Sequence, residues 1–158
     1  MTAESLSTSD ALESMTDTFI ANTSTYKEMI ETVISSLQQD NSAMVHQTEG
    51  GYLWKFQYGS VEVFVQLTGD SDDDFLSVWS SVLRLPAKDE PGLTRKLLEM
   101  NCGETFEAHF GIMNDNVVVI SQRTVADLSP GEISRAVTLV ATVADNNDEI
   151  LQETFGGS

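Results

Sequence analysis

The sequence predicts an α+β domain. Its elements run in the order helix, three strands, helix, two strands, helix, which implies a mainly antiparallel sheet packed by helices. Three observations carry this. An amphipathic helical stripe near residue 30 precedes a run of alternating apolar segments. Two of those segments are joined by a tight Gly-Ser link. The last 30 or so residues read as one long helix with a strong start signal.

Residues 1–22 are rich in Ser, Thr, Asp and Glu, and Leu6, Leu12, Met15, Phe19 and Ile20 keep no sustained period. They are expected to form a flexible acidic leader ahead of a single domain over residues 23–157. Tyr26, Met29, Ile30, Val33, Ile34 and Leu37 then recur at helical spacing. Thr25 and Glu28 have the spacing of a capping box, and Asp40-Asn41-Ser42 ends the helix.

The hairpin from Tyr52 to Leu67 has a register that can be read directly. Gly59-Ser60 suits a type II′ turn with Gly first. That turn sets Tyr58 opposite Val61, Phe56 opposite Val63, Trp54 opposite Val65 and Tyr52 opposite Leu67. Each pair joins an aromatic to an aliphatic side chain on one face, and each adds roughly 0.2–1 kcal/mol relative to alanine pairs. The other face carries Leu53, Lys55 and Gln57 against Gln66, Phe64 and Glu62, where Phe64 is out of keeping with its polar neighbours.

Gly69 to Asp74 reads as an acidic turn, and Phe75 to Leu85 as a strand ended by Pro86. Its alternation puts Leu76, Val78 and Val82 on one face and Phe75, Trp79 and Leu83 on the other. A short helix from about Glu90 to Asn101 shows the stripe Leu93, Leu97 and Met100, with Gly103 beyond its end. Phe106, Ala108, Phe110 and Ile112 alternate as a strand. Asn114-Asp115-Asn116 turns the chain, and Val117 to Gln122 returns with apolar residues on both faces, as in a central strand. Ser129, Pro130 and Glu132 supply an N-cap, a first-position proline and a capping box. Leu128 and Ile133 have the spacing of a hydrophobic staple. Ile133, Ala136, Val137, Val140 and Ala144 form the stripe, continued by Ile150, Leu151 and Phe155.

Composition narrows function more by exclusion than by assignment. A formal charge of −17 with only eight Lys and Arg repels nucleic acid and anionic lipid, so neither is an expected partner. Cys102 is the single cysteine, which excludes an intrachain disulfide, and its place near a helix C-terminus favours a packed thiol over a nucleophile. No basic n-region with an apolar h-region opens the chain, and no stretch is apolar enough to span a bilayer, so the expected compartment is the cytoplasm. Asp70, Asp72 and Asp74 copy the opening of a calcium loop. Phe75 then stands where that loop needs Gly, and Ser81 where it needs a bidentate Glu, so a solvated turn is expected. His46 and His109 have no ligand spacing with another metal-binding residue, and no nucleophile elbow, phosphate loop or dinucleotide fingerprint is present. The expectation is a non-enzymatic domain with no cofactor and no bound metal.

Further along, Leu97-Leu98-Glu99-Met100-Asn101, Phe106 to Met113, Val117-Val118-Val119, Asp127-Leu128-Ser129, Ala144-Asp145 and Phe155-Gly156-Gly157 together resemble the YbjN family, from about the first helix to the final Gly-Gly. The resemblance implies a fold like that of the small acidic chaperones of type III secretion. Those are α+β domains, commonly homodimers, that hold segments of partner proteins in extended form. It brings no catalytic residues.

The function so indicated is a protein- or peptide-binding domain, chaperone-like or a regulatory adaptor, expected to be a homodimer because its central strands carry more apolar surface than three helices cover. The candidate partner-binding residues are Leu53, Phe64, Val118 and Ile120. Arg84, Lys88, Arg95 and Lys96, half of the eight basic residues, form a candidate basic patch for an acidic partner or a second copy. The alternatives are a metal-dependent enzyme using the acidic loop, and a structural or regulatory oligomer without a client.

Overall fold

The computed structural model describes residues 26–157. The acidic leader, the capping residue Thr25 and the start of the expected domain lie outside them. Helix α1 spans Tyr26–Leu37, α2 Glu90–Gly103 and α3 Pro130–Phe155. The strands are β1 (Met44–Thr48), β2 (Gly51–Tyr58), β3 (Val61–Leu67), β4 (Phe75–Arg84), β5 (His109–Met113) and β6 (Asn116–Thr124). They form one six-stranded sheet in the order β1-β2-β3-β4-β6-β5, with every neighbouring pair antiparallel. The α+β architecture is the one expected, with one strand more.

The β2–β3 register is the one the sequence dictates, from Tyr52↔Leu67 to Tyr58↔Val61. Gly59 takes φ +55° and Ser60 is not among the positive-φ residues, as a type II′ turn requires. Gly59 is also fixed by space, since a Cβ there would lie 2.1 Å from the Asp145 carboxylate of α3. The Ser60 amide and hydroxyl donate to Asp145, and the hydroxyl lies 2.8 Å from both oxygens of the buried Asp148. The hairpin tip is thereby tied to the long helix.

One face of the sheet holds the core. Trp54, Phe56, Val63, Val65, Leu76, Val78, Val117 and Val119 meet Ile30 and Ile34 of α1, Leu93 and Leu97 of α2, and Ile133, Val137, Val140 and Leu151 of α3. α3 lies across the middle of this face, where the Gln152 side chain donates to the Val82 carbonyl. Its start is capped as the sequence requires: Glu132 N–H donates to Ser129 Oγ at 3.2 Å, and Leu128 and Ile133 are both buried. Glu132 also pairs with Arg123 of β6. α2 covers the β5 edge. Phe110 N–H donates to Asn101 Oδ1 at 2.7 Å, and Asn101 Nδ2 donates to the Phe110 carbonyl at 3.3 Å. One side-chain amide thus stands in for a pairing strand.

Five local expectations are corrected. Met44–Thr48 is an edge strand, not a loop. A bulge between Ser81 and Leu83 sets Leu83 opposite Val117, which turns it onto the core face and not onto the face of Trp79. Phe106 precedes β5, with φ 55° and 74% of its surface exposed, so its alternation with Ala108 and Phe110 is not strand alternation. Ile150 is exposed and off the α3 stripe, whose inward positions near it are Asp148 and Leu151. Cys102 is an exposed free thiol on α2, not a packed one.

Candidate partner-binding face

The opposite face of the sheet carries a second apolar set that belongs to no part of the main core. Residues directly opposite one another on paired strands share a face, so the register assigns its members. Phe64 lies opposite Trp79, Trp79 opposite Ile120, and Ile120 opposite His109. On the other side Phe64 lies opposite Lys55, and Lys55 opposite Met44. A single row thus runs across all six strands, with three large apolar side chains at its centre. Val118 sits one row along, opposite Ser81 and Gly111. Leu53 sits one row the other way, opposite Gln66 and His46.

The sheet therefore brings Leu53, Phe64, Val118 and Ile120 onto one face. Leu53, Phe64 and Ile120 are half-buried and Val118 is buried, yet none of the four is in the main core cluster. The residue that sequence reasoning missed is Trp79. Its ring stacks on Phe64 with centroids 5.4 Å apart and planes 9° apart. Alternation from Phe75 to Trp79 was visible in the sequence, but the pairing of β3 with β4 was needed to place the indole on the phenyl ring.

Around this row the face is polar. Gln57, Gln66, Ser77 and Gln122 lie in the adjoining rows. Its charged strand residues are Lys55, Glu62 and Arg84, and Lys55 pairs with Glu62 at 3.6 Å. In a chain of formal charge −17 this face is nearly neutral. Both histidines, His46 and His109, are exposed on it. Among the described residues no helix packs here, because all three helices contribute to the core on the other side.

The basic residues do not gather. Arg84 ends β4 on the open face, opposite Asn116. Lys88 N–H donates to the Phe155 carbonyl at the C-terminal end of α3. Arg95 bonds Glu99 along α2, in a shallow hollow that also includes Pro91, Leu98 and Cys102. Lys96 lines a different hollow with Asn147 and Ile150. The sequence clustering reflects their spacing along the chain and does not produce one patch.

In the acidic turn, Asp74 faces inward. It accepts from the Ser71 hydroxyl at 2.8 Å, the Ser71 amide at 3.1 Å and the Thr68 hydroxyl at 2.9 Å. These bonds, those from Ser71 foremost, hold its carboxyl below the usual aspartate range. Among the described residues no group of three or more His, Cys, Asp or Glu is arranged to hold a metal ion, and no helix is long and apolar enough to cross a membrane.

This is a chaperone-like α+β scaffold: a solved chain from the crystal structure of the ExsC–ExsE complex superposes with a TM-score of 0.52 at 16% sequence identity, over 82% of this chain and 95% of that one. The fold implied by the resemblance to type III secretion chaperones is the fold observed. The chain belongs to the YbjN family, described as "putative bacterial sensory transduction regulator", whose model matches residues 26–153. No curated protein matches the sequence.

Proposed function

We propose that this chain is a non-enzymatic protein-binding domain of the cytoplasm, chaperone-like or an adaptor, that captures an apolar segment of a client on its open sheet face. The observation that carries the reading is the Phe64–Trp79 stack continued by Ile120, on a face to which none of the three described helices contributes. Soluble domains bury large aromatic pairs or use them; a rigid aromatic platform rimmed by glutamines and serines is the chemistry of a docking site. The rim supplies donors and acceptors to a peptide backbone, and the net charge of −17 raises the encounter rate with basic chains. Family membership and the likeness to a chain from a protein–protein complex agree with a binding role.

The domain begins near residue 23, and the active form is a homodimer. Leu98, Phe106 and Ile112 are 62%, 74% and 66% exposed on or beside α2 and β5. A hollow of about 230 Å³ between these elements is lined by Leu97, Leu98, Phe110 and Ile112. α2 carries two acids and two bases (Glu90, Arg95, Lys96, Glu99), so it is neutral in a strongly acidic chain. A second copy meets least repulsion there, and Arg95 and Glu99 can exchange partners across a two-fold axis.

The deciding experiment is a peptide array of proteins from the native host, followed by binding kinetics on the hits with the parent chain and with Trp79→Ala. Enrichment of peptides with apolar anchors, weakened at least tenfold by Trp79→Ala, supports the reading. Hits that bind the variant unchanged overturn it.

A further inference from the structure

We propose that the chain's own leader is a ligand of the open face, so that residues 10–22 lie across Phe64, Trp79 and Ile120 until a client displaces them. The inference rests on the reading of that face as a docking surface and adds its regulation. Three observations on different parts of the molecule converge on this occupant.

The first is charge. The open face carries Lys55 and Arg84 against the single acid Glu62, with His46 and His109 beside them. It is the least acidic surface of a −17 chain. The segment before Tyr26 carries Glu4, Asp10, Glu13 and Asp17 and has no Lys or Arg. An acidic segment is repelled by the chain as a whole and finds on this face the one set of cations in excess of acids.

The second is apolar pattern. Leu12, Met15 and Phe19 recur at spacings of three and four, with Ile20 alongside, which puts them on one side of a helical turn pattern. The open face offers the matching anchors in one row.

The third is reach. α1 starts at the end of the sheet that carries the β1–β2 turn and the β3–β4 loop: Tyr26 and Lys27 line a hollow with Gly50, Gly69 and Asp70. Phe75, 48% exposed, begins β4 in register with the open-face residue Thr124, just after that loop. From Phe75 to Trp79 the strand advances about 13 Å. Helical spacing carries Leu12 about 10 Å from Phe19, and six extended residues between Phe19 and Tyr26 cover about 20 Å, enough to round the sheet edge. Tethering gives such a segment an effective concentration on the order of millimolar, so modest affinity fills the site.

The test uses the full chain with Leu12→Ser, Met15→Ser and Phe19→Ser together, compared with the parent by NMR. The probes are the Ile120 and Val118 methyls and the Trp79 indole N–H, with Trp54 and Val137 in the core as references. The expected result is displacement of the open-face signals with the references unmoved, and roughly three- to tenfold tighter binding of array-derived peptides once self-occupancy is removed. Coincident open-face signals overturn the inference while peptide binding, if present, leaves the docking reading standing. Displaced signals with no peptide bound by either form leave the leader contact standing and remove the client. Signals that move with protein concentration identify a second copy as the occupant and also overturn the inference.

Discussion

Phe64 and Trp79 stack across β3 and β4 with centroids 5.4 Å apart, on the side of the sheet away from the three helices. Each ring gains area from the other that water would otherwise cover, and the offset geometry adds about 0.5–1.5 kcal/mol beyond burial. A double-mutant cycle of Phe64→Ala and Trp79→Ala should return a coupling energy in that range by chemical denaturation. Additive single effects would show that the rings do not support each other in solution. Both single variants should stay folded, because neither ring is in the main core.

Trp54 is the opposite case. It is 2% exposed in the centre of the core face, and its Nε1 donates to the Glu31 carboxylate of α1 at 3.1 Å. Trp54→Ala should cost about 3–5 kcal/mol, the scale of a large aromatic removed from a packed interior. Trp54→Phe keeps most of the apolar volume but leaves Glu31 without its donor, and should cost about 1–3 kcal/mol. Urea midpoints at unchanged m give both values. A loss below about 1 kcal/mol for Trp54→Ala would place the indole outside the cooperative core.

The Asp74 carboxyl should report on the order of the β3–β4 loop. Its hydrogen bonds from Ser71 and then Thr68 favour the ionised form and lower its pKa in the folded chain. A depressed carboxylate stabilises the folded loop above the ordinary aspartate range, and that contribution disappears as pH falls through the lower folded value. The Ser71 amide resonance should therefore titrate with a midpoint below the ordinary aspartate range, and Ser71→Ala should move the Asp74 midpoint back up. A midpoint at or above the ordinary range in the parent chain would rule out these bonds in solution.

How much of this was readable from sequence depends on whether the information was local. The β2–β3 register follows from a two-residue turn and a period of two, both contained in 16 consecutive positions from Tyr52 to Leu67, and it is reproduced pair for pair. The α3 start is likewise written in four adjacent residues, Ser129 to Glu132. β1 was hidden because Met44–Thr48 is an edge strand with nearly every side chain exposed, so no alternation marks it; it exists because β2 offers a free row of backbone groups. The bulge at Ser81–Leu83 is invisible in an unbroken apolar run, and it moves Leu83 to the other face. Three of the residues singled out for the open face, Leu53, Phe64 and Ile120, sit beside the Trp79 that was not, because β3 and β4 are joined by a loop whose length does not fix their register. The supposed basic patch failed for the same reason: closeness along the chain between Arg84 and Lys96 spans a strand end, a loop and two directions off a helix.

The homodimer is the last expectation to put at risk. α2 and β5 expose Leu98 and Ile112 side by side around one apolar hollow, and α2 contributes no net charge there. Light scattering behind a sizing column at micromolar concentration should give about twice the 17.3 kDa chain mass. Leu98→Glu should halve that mass, since an isologous contact buries the new carboxylate twice, each time without a partner. Ile112→Glu should do the same from the neighbouring strand. Phe64→Ala, on the open face, should leave the dimer intact and so separate self-association from client capture. A parent chain that elutes as a clean monomer defeats the prediction, and a dimer that survives both glutamate variants places the interface on another surface.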